Sequence, residues 1–271
     1  MTELLEFSWP LLLAYLALGA FVGFLAGMLG IGGGATMVPI LVLLFEPQGF
    51  PREHIVHIAV GTAMATILFT SISSVRAHAR RGAVRWDIAK AMTPGILLGG
   101  FLGALIASRL STLALGIFFA VFIYCMSLNM WLNRQPPAGG GAPSRTELVA
   151  MGGVISALSA LVAIGGAAMS VPYMVWRKVP LIHAIGTSSA IGFPVALAST
   201  AGYIWMGTAQ EVPSPSLGYV YLPATLSIVA ASVFTAPLGA RAAHKLPTGV
   251  LRRVFATLLF VLATRMLIKL W

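Results

Sequence analysis

The sequence predicts an all-α, polytopic membrane protein built from two inverted-topology repeats, each a glycine-broken helix hairpin plus three transmembrane helices. Three observations predict it. The chain is 58% hydrophobic and only 9% charged over 271 residues, a composition that belongs to membrane-spanning proteins. Its apolar residues fall into runs near 9–45, 55–73, 89–108, 112–132, 148–175, 183–206, 219–240 and 249–268. Most have the roughly 20 residues that one spanning helix needs. Finally, a glycine-rich element followed by Val-Pro occurs twice. The first copy is Gly30-Ile31-Gly32-Gly33-Gly34-Ala35-Thr36-Met37-Val38-Pro39, and the second is Ala163-Ile164-Gly165-Gly166-Ala167-Ala168-Met169-Ser170-Val171-Pro172.

The two runs that hold these elements are the two with the wrong length. At about 1.5 Å per residue, 9–45 is too long for one span, and 148–175 is long for one but short for two. Helix breakers in lipid are costly unless the freed backbone groups are buried in protein or line a cavity. A hairpin that enters and returns satisfies both lengths. Loop charge favours it. Arg76, Arg80, Arg81, Arg85 and Lys90 form the strongest basic block and are read as cytoplasmic. With both long runs folded back, 13 of the 17 Lys and Arg are cytoplasmic and five of the seven acids are not. Eight simple spans remain the alternative, with a weaker bias. The hairpin reading puts both termini outside the cytoplasm in a multi-pass protein of the cell (inner) membrane.

The net charge of +10 sits in short loops between apolar runs, so it reads as membrane orientation and lipid contact, with no nucleic-acid partner. Glu3 and Glu6 replace the basic start of a signal peptide, so the first segment reads as retained. The lone Cys125 excludes an intramolecular disulfide and reads as a small buried hydrophobe.

The halves match beyond the glycines. His57 precedes Gly61-Thr62-Ala63 as His183 precedes Gly186-Thr187-Ser188, an offset of 125 at Gly-Thr. Gly103-Ala104 matches Gly239-Ala240 at an offset of 136, and the prolines match at 133. This divides the chain into a first repeat (1–132), a Pro/Gly-rich cytoplasmic linker (133–146) and a second repeat (147–271). Three crossings per half reverse the orientation, as in many alternating-access carriers.

Glycine-rich breaks free backbone N–H groups at the start of a half-helix, where the dipole favours an anion. The candidate substrate-binding groups are the backbone at Gly32, Gly33, Gly34, Gly165 and Gly166 and the hydroxyls of Thr36, Thr62, Ser170, Thr187 and Ser188. His57 and His183 are candidates as oxyanion donors or titrating groups. Each has an ordinary alternative: tight helix packing for the glycines, bonding to the helix's own backbone for the hydroxyls, an interfacial position for the histidines. Thr62 and Thr187 rank highest because they occupy matching positions. No apolar run carries a charge near its centre, which argues against a proton relay through a buried carboxylate; coupling to a proton or another ion stays open, as does oligomeric state. No residues combine as catalytic groups, and no metal or cofactor signature is present. A non-transporting scaffold or assembly factor, its glycines serving packing alone, is the competing function.

At these residues the chain resembles the TauE/SafE family, also called the sulfite exporter or TSUP family. The features are Leu29-Gly30-Ile31-Gly32-Gly33-Gly34 with Val38-Pro39, His57 with Gly61-Thr62, Ile164-Gly165-Gly166 with Val171-Pro172, and Gly186-Thr187-Ser188. The second copy departs from the pattern, with Ala163 and Ala167 where glycine is expected. The resemblance implies a secondary transporter of a small sulfur-containing anion: sulfite, thiosulfate or an organosulfonate such as sulfoacetate.

Overall fold

A computed structural model describes residues 9–29, 33–132, 139, 141, 143–243 and 248–271. The long apolar runs become helices because lipid leaves a backbone few other ways to satisfy its own polar groups. In chain order they are α1 (Trp9–Leu29), α2 (Gly34–Phe45), α3 (Ile55–Arg80), α4 (Trp86–Arg109), α5 (Thr112–Leu132), α6 (Arg145–Val162), α7 (Ala167–Trp176), α8 (Leu181–Gly207), α9 (Leu222–Ala243) and α10 (Thr248–Leu270). Six described helices are long and apolar enough to cross a membrane: α1, α3, α4, α5, α6 and α8. Among the described residues the protein is all-α apart from one two-residue pairing, Ser216–Leu217 with Val220–Tyr221, turned at Gly218 with φ +51.

Both long runs fold back on themselves. Tyr15, early in α1, donates its hydroxyl to Gln48 Oε1 just beyond α2 at 3.0 Å. Glu147, in the first turn of α6, takes hydrogen bonds from Tyr173 in α7 and from Arg177 just past it, both at 2.8 Å. Had α7 continued the direction of α6, about 45 Å of helix would separate Glu147 from Arg177 at 1.5 Å per residue.

Loop contacts sort the chain ends of the helices into two groups. At one end Lys269 and Arg52 reach Glu46 at 3.0 and 3.7 Å. Thr112 Oγ1 donates to the Glu53 carbonyl there, and the Tyr219 hydroxyl meets His54 Nδ1 at 3.5 Å. At the other end Arg85 meets Thr187, Ala83 meets His183, and Arg177 meets Glu147. The loops read as extracytoplasmic gather at the Glu46 end. Of those read as cytoplasmic, the stretches at 83–85 and 177–183 lie at the Arg85 end.

Three differences from the sequence reading have physical causes. α3 runs on to Arg80, well past the apolar limit at 73; its last turn carries His78 and Arg80, cations favoured at a helix C-terminus. Tyr219 lies in a turn and Val220–Tyr221 are extended rather than helical; Tyr221 donates its N–H to Thr62 before α9 begins. Cys125 is exposed on the outside of α5 instead of buried; in a membrane helix the outside is apolar too, so burial in protein is not needed.

Candidate functional site

The two breaks meet at the centre. Gly34 opens α2 and lies against the carbonyl of Ala163, the C-cap of α6; a Cβ on Gly34 would collide with that oxygen. Only glycine permits this approach. Ile67, about halfway along α3, touches both breaks. Its Cδ1 lies 2.9 Å from where a Cβ on Gly34 would stand, and its Cγ2 3.4 Å from the same point on Gly165. The second break turns through two left-handed residues, Ala163 at φ +48 and Gly166 at φ +80.

Each half-helix starts with the same turn. Thr36 and Met37 donate their N–H groups to the Gly33 carbonyl at 3.3 and 3.0 Å, and Met169 and Ser170 donate theirs to the Gly166 carbonyl at 3.1 and 2.9 Å. Among the described residues the N–H groups of Gly34, Ala35, Ala167 and Ala168 donate to no acceptor. Gly34 and Ala35 are buried, and Ala167 and Ala168 are half-buried. Two half-helices, α2 and α7, thus bring their first N–H groups and the positive ends of their dipoles to one region.

The hydroxyls singled out in the sequence are already engaged. Thr36 donates to the Gly33 carbonyl at 2.9 Å. Ser170 and Ser188 bond one another at 2.7 Å, both fully buried. Thr62 Oγ1 accepts the Tyr221 N–H at 3.0 Å, and Thr187 Oγ1 accepts the Arg85 N–H at 2.9 Å. Tyr221 and Arg85 each precede the first residue of a helix, α9 and α4. The neighbouring glycines repeat the pattern: Gly61 packs on the Tyr219 carbonyl and Gly186 on the Ala83 carbonyl, with no room for a Cβ at either. Each threonine still has its own hydroxyl proton to give.

The histidines sit away from the breaks, toward the ends. His57 Nε2 lies 3.0 Å from the Ala107 carbonyl and 3.1 Å from that of Leu110, capping the end of α4. His183 Nδ1 meets the Ala83 carbonyl at 3.3 Å. Gly33 packs on Val22, while Gly165 and Gly166 form the turn itself. Gly32 lies outside the described residues. At the base of the second hairpin the Glu147 carboxylate, hydrogen-bonded to Arg177, holds that guanidinium above its usual range.

The structure adds residues that the sequence reading passed over. Ile67, one aliphatic residue within an apolar run, carries no local signal. The backbone partners Ala83, Arg85, Tyr219 and Tyr221 do carry one: 83–85 and 219–221 stand 136 apart, the offset already visible at Gly-Ala.

Membrane-length helices around two half-helix ends that meet beside the middle of α3 define a polytopic membrane protein with a broken-helix core. The profile of the sulfite exporter TauE/SafE family matches residues 15–266. The chain is 35% identical over 260 residues to a probable membrane transporter protein of Haemophilus influenzae, covering 95% of this chain and 98% of that one. It is 29% identical over 270 residues to one of Methanocaldococcus jannaschii, covering 97% and 98%. No solved structure matches it significantly. The chain belongs to the sulfite exporter TauE/SafE family and is a multi-pass membrane transporter, not an enzyme.

Proposed function

We propose that this protein carries a small sulfur-containing anion (sulfite, thiosulfate or an organosulfonate such as sulfoacetate) across the inner membrane, exporting it by alternating access. The observation that carries the reading is the meeting of α2 and α7. The N–H groups of Gly34, Ala35, Ala167 and Ala168 find no acceptor among the described residues, and Ile67 touches both breaks. Neutral donors and dipole ends in a low-dielectric interior suit an anion. The family's name supports the sulfur; the geometry supports the negative charge.

The halves are read as inverted repeats. Thr62 with Tyr221 and Thr187 with Arg85 are one contact made twice, at offsets of 125 and 136. Gly19 on Ile228 and Gly152 on Met92 are another, at 133 and 136. Both support a two-fold relation between 1–132 and 147–271. The Arg85 end, which holds the basic loops, is cytoplasmic on this reading, and the Glu46 end is outside.

The test is flux in proteoliposomes loaded with sulfite, thiosulfate, sulfoacetate or phosphate, at a set membrane potential and pH gradient. Protein-dependent flux of a sulfur anion, with none for phosphate, is expected. Well-folded protein that moves none of the sulfur anions refutes the reading.

A further inference from the structure

Hydroxyls in membrane helices ordinarily bond a carbonyl one turn back in their own helix. In α9 they do: Thr225, Ser227, Ser232 and Thr235 each donate to their own helix or, for Thr225, to the Tyr221 carbonyl just before it. The seam between α4, α6 and α8 departs from this. Ser156 and Ser159 on α6 and Ser199 and Thr200 on α8 have buried hydroxyl oxygens with no hydrogen-bond partner. The three serines are fully buried and Thr200 is 6% exposed. Ser156 Oγ and Ser199 Oγ lie 2.8 and 3.2 Å from a single point, the place a Cβ on Gly100 of α4 would occupy. Ser159 Oγ lies 4.0 Å from the corresponding point on Gly166. The cluster therefore runs from the Gly100 cleft to the second break.

The end of α6 adds acceptors. Its last carbonyls have lost their helical partners at the break. Those of Ser159 and Ala160 are taken up by the Ala163 and Ile164 N–H groups and by the Tyr203 hydroxyl. Among the described residues those of Leu161 and Val162 accept nothing. Buried oxygens left unsatisfied cost about 1–3 kcal/mol each. Ser159 stands in the last turn of α6, at the negative end of its dipole, and the carboxylate of α6, Glu147, is far off in its first turn. Neutral oxygens at a half-helix C-terminus suit a monovalent cation; a divalent one draws on carboxylates.

We propose that the α4/α6/α8 seam binds Na⁺ through the hydroxyl oxygens of Ser156, Ser159, Ser199 and Thr200 and the carbonyls freed at the end of α6. The break then serves both signs of charge: the start of α7 faces the anion and the end of α6 holds the cation. The role of this ion as a coupling ion rests on the transport reading; its binding does not.

The experiment measures thermal unfolding of the full-length protein in detergent, with Na⁺, K⁺ or choline chloride at constant ionic strength. A melting temperature that climbs with Na⁺ and levels off, with no such rise in K⁺ or choline, is expected. Ser156→Ala and Ser199→Ala should fold, since each deletes an unpartnered hydroxyl, and should lose the Na⁺ response; Ser199→Thr keeps the oxygen and should keep it. Equal behaviour in all three salts overturns the site, as does an undiminished Na⁺ response in both alanine variants. In proteoliposomes, replacing choline by Na⁺ should raise anion flux about 5- to 100-fold, in the range of ordinary coupling. Na⁺ stabilisation without any anion flux would refute the anion-transport reading and leave the cation site standing. Flux unaffected by Na⁺ would refute coupling.

Discussion

Replacing Thr62 by valine separates a structural role from a ligand role. Valine keeps the shape of threonine and removes the oxygen that accepts the Tyr221 N–H at 3.0 Å. Thr62 is fully buried and Tyr221 is 3% exposed, so water cannot take the place of the lost acceptor. An orphaned buried N–H costs about 1–3 kcal/mol. At about 2–4 °C per kcal/mol, the melting temperature should fall by several degrees in a detergent scan at fixed rate. Thr187→Val removes the matching bond to Arg85, which is exposed and can be rehydrated. Its cost should be the smaller one of an ordinary hydrogen bond, about 0.5–1.5 kcal/mol. The two sites share no partner, so the double variant should lose about the sum. Thr62→Ser should recover much of the loss at 62. An unchanged melting temperature in Thr62→Val, with a raised KM for the transported anion, would refute this account and make the hydroxyl a ligand.

Gly34→Ala places a methyl group on the Ala163 carbonyl, an overpacking that should cost about 1–3 kcal/mol and abolish flux; thermal unfolding and flux check both. Ile67→Ala empties the space between Gly34 and Gly165 and should admit larger anions than the wild type, read as the size cut-off of flux through an organosulfonate series. Glu147→Gln loosens the return of α7 to α6, so trypsin should cut after Arg177 or Lys178 faster than in the parent. Cys125, exposed on α5, should react with a lipid-soluble maleimide and not with a membrane-impermeant one.

Much of the fold was legible because its governing signals are local. Run length, glycine breaks and loop charge each act within about 20 residues, and both hairpins followed from 9–45 and 148–175 being misfit lengths. The candidate site was legible only as a location. Thr62 and Thr187 stood out by symmetry, but nothing local says that their oxygens go to the backbone of Tyr221 and Arg85, more than 100 residues away in each case. His57 was weighed as an oxyanion donor or an interfacial residue; its capping of α4 depends on a neighbour 50 residues on. Gly33→Val would meet the Val22 side chain, and Gly166→Val would force valine to φ +80. A loss of folding in either would therefore say nothing about a ligand.

Two close glycine seams join elements from opposite halves of the chain. α1 lies along α9 through Gly19 and Gly23, and α4 lies along α6 through Gly95, Gly99 and Gly103. During synthesis α1 and α4 enter the bilayer with these grooves open, and their partners arrive only after residue 145 has been made. The first half cannot finish alone: its small-residue faces have lipid against them until the second half displaces it. Assembly is therefore a single late event that commits both halves at once. Residues 133–146 have to reach across, but the lock is made by the helices. A protein cut in that stretch after folding should stay in one piece.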